Sequence, residues 1–263
     1  MGEFSIFFGI VFFIFGTVFG SFFNVLIYRV PHNLSIIKPS SYCTNCGKKL
    51  KWYMNIPIIS YIFLKGRCAY CNFKISLQYP LVEAFTGIIF LSGYLLYGFS
   101  LVAVDFILFL VTLFIISVID FKHFIIPISI LIPAFLWRIF FNIKTGQIWM
   151  NLLGLVAGFG FVYFLMVFGE KIFKKEAMGG GDVYYTGFIG FFIGIKLLVL
   201  MFLIASLTGV IFGLVSMLID KIKKKEVKMV IPFGPFLSLG ALIAYLWGTE
   251  IINWYLALCG VTG

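Results

Sequence analysis

Two groups of side chains in this sequence have the types and spacing for chemistry. The first is a pair of aspartates: Asp120 in Ser117-Val118-Ile119-Asp120-Phe121-Lys122 and Asp182 in Met178-Gly179-Gly180-Gly181-Asp182-Val183. Carboxylates a few ångströms apart cannot both ionise easily, so such a pair shares a proton and titrates as a unit. It can deprotonate a water while protonating a peptide carbonyl, which is aspartic-peptidase chemistry. Plainer readings stand beside this one. Asp120, with Lys122 and His123 nearby, suits an interfacial turn, and Asp182 suits a helix N-cap, a position Asp favours. Gly179, Gly180 and Gly181 point beyond a cap, because glycines permit close backbone approach and unusual dihedrals where an extended peptide must enter.

The second group is Cys43-Thr44-Asn45-Cys46 and Cys68-Ala69-Tyr70-Cys71, two CxxC pairs separated by 21 residues. Each pair can offer two thiolates through a tight knuckle, and Cys43, Cys46, Cys68 and Cys71 together complete a tetrahedral zinc site. Gly47 and Gly66 ease the two turns. A redox role is the runner-up, although a thioredoxin-type site needs only one such pair. A polar insert of this size has little core, so zinc would supply much of its folding energy. Cys259 stands apart and reads as a small apolar packing residue.

The elements that must position these groups follow from composition. Of 263 residues, 62% are hydrophobic and 11% charged, 34 are Phe, and the mean hydropathy is +1.10. Soluble domains carry about 25% charged residues, so this chain requires lipid as its solvent. Its first apolar run, Ser5 to Tyr28, exceeds a signal-peptide core and lacks a basic segment before it, so it reads as a true span. Further spans are expected near 81–98, 101–119, 124–141, 148–169, 183–195, 197–219 and 231–248. Long apolar runs containing Gly favour helices over a membrane barrel. The expected fold is an all-α polytopic membrane protein of about eight transmembrane helices. Residues 1–28 form the first helix, 29–80 a cytoplasmic four-cysteine insert resembling a zinc knuckle, and 81–263 the membrane core.

With the N-terminus outside, 17 of the 20 basic residues fall in inner loops, leaving Arg138, Lys144 and Lys196 outside. This bias agrees with the positive-inside rule. It also accounts for the net charge of +10 without nucleic acid as a partner. Span parity then puts Asp120, Asp182 and the cysteines on the cytoplasmic side, where thiols stay reduced. Glu83 suits the N-terminal dipole of its helix as well as a functional role. Asp105 is expected to snorkel toward the outer interface, and Asn24 to bond within the bundle or touch substrate.

Gly-Gly-Gly-Asp at 179–182 resembles the GxGD signature of intramembrane aspartyl peptidases, and Asp120 sits where their first Asp does. The resemblance extends through Gly20-Ser21-Phe22-Phe23-Asn24-Val25-Leu26-Ile27-Tyr28-Arg29-Val30-Pro31, Asn55-Ile56-Pro57-Ile58-Ile59-Ser60, Tyr79-Pro80-Leu81-Val82-Glu83 and Pro232-Phe233-Gly234-Pro235-Phe236-Leu237. This ordered set is similar to that of the bacterial type IV prepilin peptidases. The resemblance implies a bacterial inner-membrane enzyme that removes the basic leader of prepilins or pseudopilins at the cytoplasmic face, with Asp120 and Asp182 catalytic. Versions with the cysteine loop also methylate the new N-terminal amine with S-adenosylmethionine, for which Gly66, Arg67 and Glu83 are candidates by position. Two departures bear on substrate positioning or local stability: Tyr184 stands where a Lys is frequent, and Ile128 where an Asp is frequent. The rival readings are a proton-relaying transporter, whose acids would lie nearer the midplane, and a scaffold that merely displays the knuckle.

Overall fold

The computed structural model describes residues 3–174, 179–223 and 231–260, without the side chains of residues 3 and 173. Among the described residues eight α-helices follow in order: α1 (Glu3–Arg29), α2 (Ile59–Phe63), α3 (Gln78–Tyr97), α4 (Leu101–His123), α5 (Ile128–Thr145), α6 (Ile148–Phe173), α7 (Gly180–Ile222) and α8 (Gly234–Leu258). Among the described residues β structure is limited to two isolated bridges. All helices except the short α2 are long and apolar enough to cross a membrane, so the chain is a multi-pass membrane protein. It divides into two compact units, residues 1–111 and 112–263.

At 43 residues α7 is too long for one crossing. Straight, it would extend about 65 Å, twice the roughly 30 Å hydrocarbon core. It breaks at Gly194, where φ is 75° and ψ 169°, a conformation open to glycine and little else. The neighbours show that the chain turns back there. Asp182 interacts with Asp120, which the Gly234 amide holds, and one turn on in both helices Tyr185 meets Ser238, so the first arm runs parallel to α8. Beyond the break, Met201 and Ala205 lie against Gly240, and Phe233 approaches Gly209, so the second arm runs antiparallel. Seven long helices therefore make eight passes, with the turn within a few residues of the expected division.

In the first unit α1 and α3 pack antiparallel through glycines one turn apart. A Cβ on Gly16 would lie 2.8 Å from the Thr86 carbonyl, and one on Gly20 would lie 2.7 Å from the Glu83 Cα. Phe12 stacks on Tyr94 and Phe19 on Phe90 along the same seam. In the second unit α6 meets the first arm of α7 through Gly154, Gly158, Gly187 and Gly190. Small residues at four-residue spacing let helices approach closely in lipid, where dispersion replaces the hydrophobic drive.

Several charges lie elsewhere than expected. Arg138, counted on the outer side within the expected span 124–141, is buried in α5, donates 2.7 Å to the Phe192 carbonyl, and sits over the Phe141 and Phe192 rings. Carbonyls just ahead of a helix break lose their i+4 donors, and the guanidinium supplies one. Asp105 does not snorkel; it is buried at 1% exposure. Cys259 is exposed, not packed. Lys175, Lys224, Lys225 and Lys228, counted among the inner loops, lie outside the described residues.

Candidate active site and metal centre

Both candidate aspartates lie in the second unit. Asp120 occupies the last turn of α4 at 5% exposure. The helix ends just after it, where Phe124 adopts φ 56° and donates its N–H to the Asp120 carbonyl at 2.9 Å. From the other side, the backbone N–H of Gly234 donates to Asp120 Oδ2 at 2.8 Å. Gly234 opens α8, so a free first-turn amide of that helix meets the carboxylate. A Cβ on Gly234 would lie 2.7 Å from that same oxygen.

Asp182 is not an N-cap. Gly179 holds that position, and Asp182 is the third helical residue of α7, partly buried. Its carboxylate interacts electrostatically with that of Asp120. The three glycines contribute less than expected: Gly179 is extended at φ −70° and ψ 136°, and none has positive φ. Close approach is required only at Gly181, where a Cβ would lie 3.0 Å from Ile126 in the α4–α5 connection. That contact draws the segment after Asp120 against the start of α7.

Two residues of the site escaped the sequence reading. Tyr185, fully buried and one turn beyond Asp182, interacts electrostatically with both aspartates and bonds to the Ser238 hydroxyl. Ser238 donates to the Gly234 carbonyl at 2.8 Å, so its one proton is used and Tyr185 must be the donor to it. The chain Tyr185–Ser238–Gly234 thus ends on the residue whose amide nitrogen faces Asp120. Ser238 lies one turn after Gly234, and that spacing was the only signal available. Gly234→Ala should lower turnover about 10- to 100-fold with little loss of helical content, because a displaced carboxylate costs rate steeply. Comparing kcat with the melting temperature checks it.

In the first unit the sulfurs of Cys43, Cys46, Cys68 and Cys71 lie within 4.8 Å of one another. The Cys43 and Cys71 sulfurs are 3.8 Å apart, which matches the roughly 3.8 Å edge of a tetrahedron with zinc–sulfur arms of about 2.3 Å. The two knuckles repeat one design. Gly47 and Asn72, each directly after its second cysteine, take φ 67° and 57° and donate to the Cys43 and Cys68 carbonyls at 2.9 Å. Asn is the side chain that best tolerates this region. The Phe73 amide heads the contacts that lower Cys71 to about 7, and the Cys46 amide chiefly lowers Cys43. At Cys46 the Lys48 amide is outweighed by desolvation and the neighbouring Cys43 and Cys71 sulfurs, which push it up to about 11. Such crowding of thiols suits a cation that neutralises them, and the site fits a metal.

Gly66, Arg67 and Glu83 each have partners within the first unit. The Cβ position of Gly66 is filled by the Tyr61 ring, with its hydroxyl 2.8 Å away. Arg67 is exposed and bridges to Lys74 in the second knuckle. Glu83 is buried in α3 and accepts from the Ile58 N–H at 2.7 Å. Asn24 bonds within its unit, donating to the Tyr79 carbonyl at 3.1 Å.

Residues 14–97 match the bacterial peptidase A24 N-terminal domain, and residues 107–214 match the type IV leader peptidase family. A relative in Bacillus subtilis (strain 168), named prepilin leader peptidase/N-methyltransferase, is 33% identical over 250 residues, covering 94% of this chain and 98% of its own length. One of the same name in Myxococcus xanthus is 36% identical over 219 residues, which cover 82% of this chain and 65% of that relative. A Pseudomonas aeruginosa relative, again so named, is 32% identical over 93% of this chain and 92% of its own. No solved structure matches the chain. With its spans, its aspartates and these alignments in agreement, the chain belongs to the type IV leader peptidase family.

Proposed function

We propose that this chain is a membrane aspartyl endopeptidase that removes the basic leader of type IV prepilins or pseudopilins, with Asp120 and Asp182 as its catalytic pair. The observation that carries this reading is the hold of the Gly234 amide on the buried Asp120, with the Asp182 carboxylate near enough to interact with it. One carboxylate takes a proton from water while the other gives one to the scissile carbonyl. The Gly234 amide fixes one Asp120 oxygen and leaves the other for water or peptide. Gly179, Gly180 and Gly181 line the approach with backbone, and Gly180 has open space beside it. Both aspartates lie at helix ends, so the scissile bond would be met at the membrane surface. The distribution of basic residues supports the cytoplasmic face of the bacterial inner membrane, with the N-terminus outside.

The names of the relatives support a second activity, N-methylation of the new terminal residue with S-adenosylmethionine as methyl donor. No step of it is assigned to the three positional candidates. Zinc fits the four cysteines, where it would serve as a structural tie between the knuckles. Cys43→Ser should remove nearly all bound zinc and lower the insert's resistance to proteolysis, since metal binding is folding energy in so small a unit. Metal analysis and limited trypsin digestion report both.

The test of the function is direct. The purified protein in detergent, given a prepilin with a basic leader, should release that leader as a discrete fragment. A mass-verified cleavage at the leader junction supports the peptidase; an intact precursor under conditions where a relative cleaves it overturns it.

A further inference from the structure

Glu83 is a buried carboxylate with 7% exposure. Its partners are the Ile58 N–H at 2.7 Å and the side chain of Ser21. No lysine or arginine pairs with it among the described residues. A buried carboxylate without a counter-charge is costly, and a cation that reaches it relieves that cost.

Its surroundings are built to hold it. Ile58, a β-branched residue, stands at φ 61° and ψ −50°, a conformation that costs free energy and persists only when its surroundings enforce it. The Glu83 carboxylate anchors that peptide. Close by on the α1–α3 seam, Asn24 is 3% exposed, with its Nδ2 spent on the Tyr79 and Gly20 carbonyls and its Oδ1 without a partner. Gly20 touches the Glu83 backbone, and Asn24 and Tyr79 lie one turn further along their helices. Adjoining turns thus hold one anionic acceptor and one unused neutral acceptor. A primary ammonium, with three donors and a positive charge, is the complement of that set.

We propose that Glu83, aided by Asn24, binds the free α-ammonium group that leader removal creates on the mature substrate. The proposal rests on the peptidase reading for the origin of the amine, and it concerns the product end of that reaction. S-adenosylmethionine also carries an ammonium, so the test separates the two.

The full-length protein in detergent is titrated with a synthetic peptide of a mature pilin N-terminus, either free or N-acetylated. The wild type should bind the free amine about 10- to 100-fold more tightly, the range of one charge-assisted hydrogen bond. Glu83→Gln retains an oxygen for the Ile58 N–H but removes the charge, so it should bind both peptides alike. Equal binding of the two peptides by the wild type overturns the proposal without recourse to any variant. So does a Gln variant that keeps the preference, or one that loses only S-adenosylmethionine binding. Failure of the wild type to cleave precursor would strike the peptidase reading alone, since the peptide titration needs no cleavage.

Discussion

Replacing Asp120 or Asp182 by Asn should reduce leader cleavage about 10⁴-fold or more, with the protein still folded and inserted. Each carboxylate has a part in moving protons to and from the same peptide, and removing one member of such a unit costs nearly as much as removing both. Folding should survive because Asn is isosteric. At position 120 its amide oxygen still accepts from the Gly234 N–H, which otherwise would be an unsatisfied first-turn donor. At position 182 Gly179 remains the helix cap. Single-turnover cleavage, with circular dichroism and melting on the same samples, measures both halves. Wild-type cleavage by either variant would remove these carboxylates from the mechanism.

Gly190→Val should destabilise the protein by about 3 kcal/mol or more and abolish cleavage with it. A Cβ at Gly190 would overlap the backbone carbonyl of Gly154, and one at Gly154 would overlap that of Gly190. Backbone on both sides cannot yield as a flexible side chain does, so the helices must separate, which costs at the upper end of the overpacking range. The first arm of α7 carries Asp182 at its start, so a shift of that arm moves the carboxylate. Gly160→Ala is the control on the same neighbour, α6: its Cβ would meet nothing within 4 Å. That substitution should be neutral, or stabilise the helix by up to about 1 kcal/mol. Thermal unfolding in detergent distinguishes the two, and equal melting temperatures would contradict the close glycine contact.

The transporter and scaffold readings give way to the family assignment, which rests on motifs spread over most of the chain. What decided it was already present as residue types: acids where acids are costly, and cysteines in matched pairs. The same holds for the eight passes, because length and apolarity are properties of the sequence that the bilayer reads directly.

Membrane residence, the long helices, the paired cysteine knuckles and the two candidate aspartates were therefore legible in the residue order. Tertiary structure alone decided which faces of those helices meet. In a lipid-soluble helix the inward and outward faces are equally apolar, so the periodicity that orients a soluble helix is missing. Gly154 and Gly158 carried a spacing signal for contact, but no local feature pairs them with Gly187 and Gly190. Likewise the Gly234 amide reaches Asp120 across 114 residues of sequence, and Arg138 caps a break 54 residues away. Such bonds depend on where helices cross, and the crossing is set by close backbone contact that only the folded chain displays.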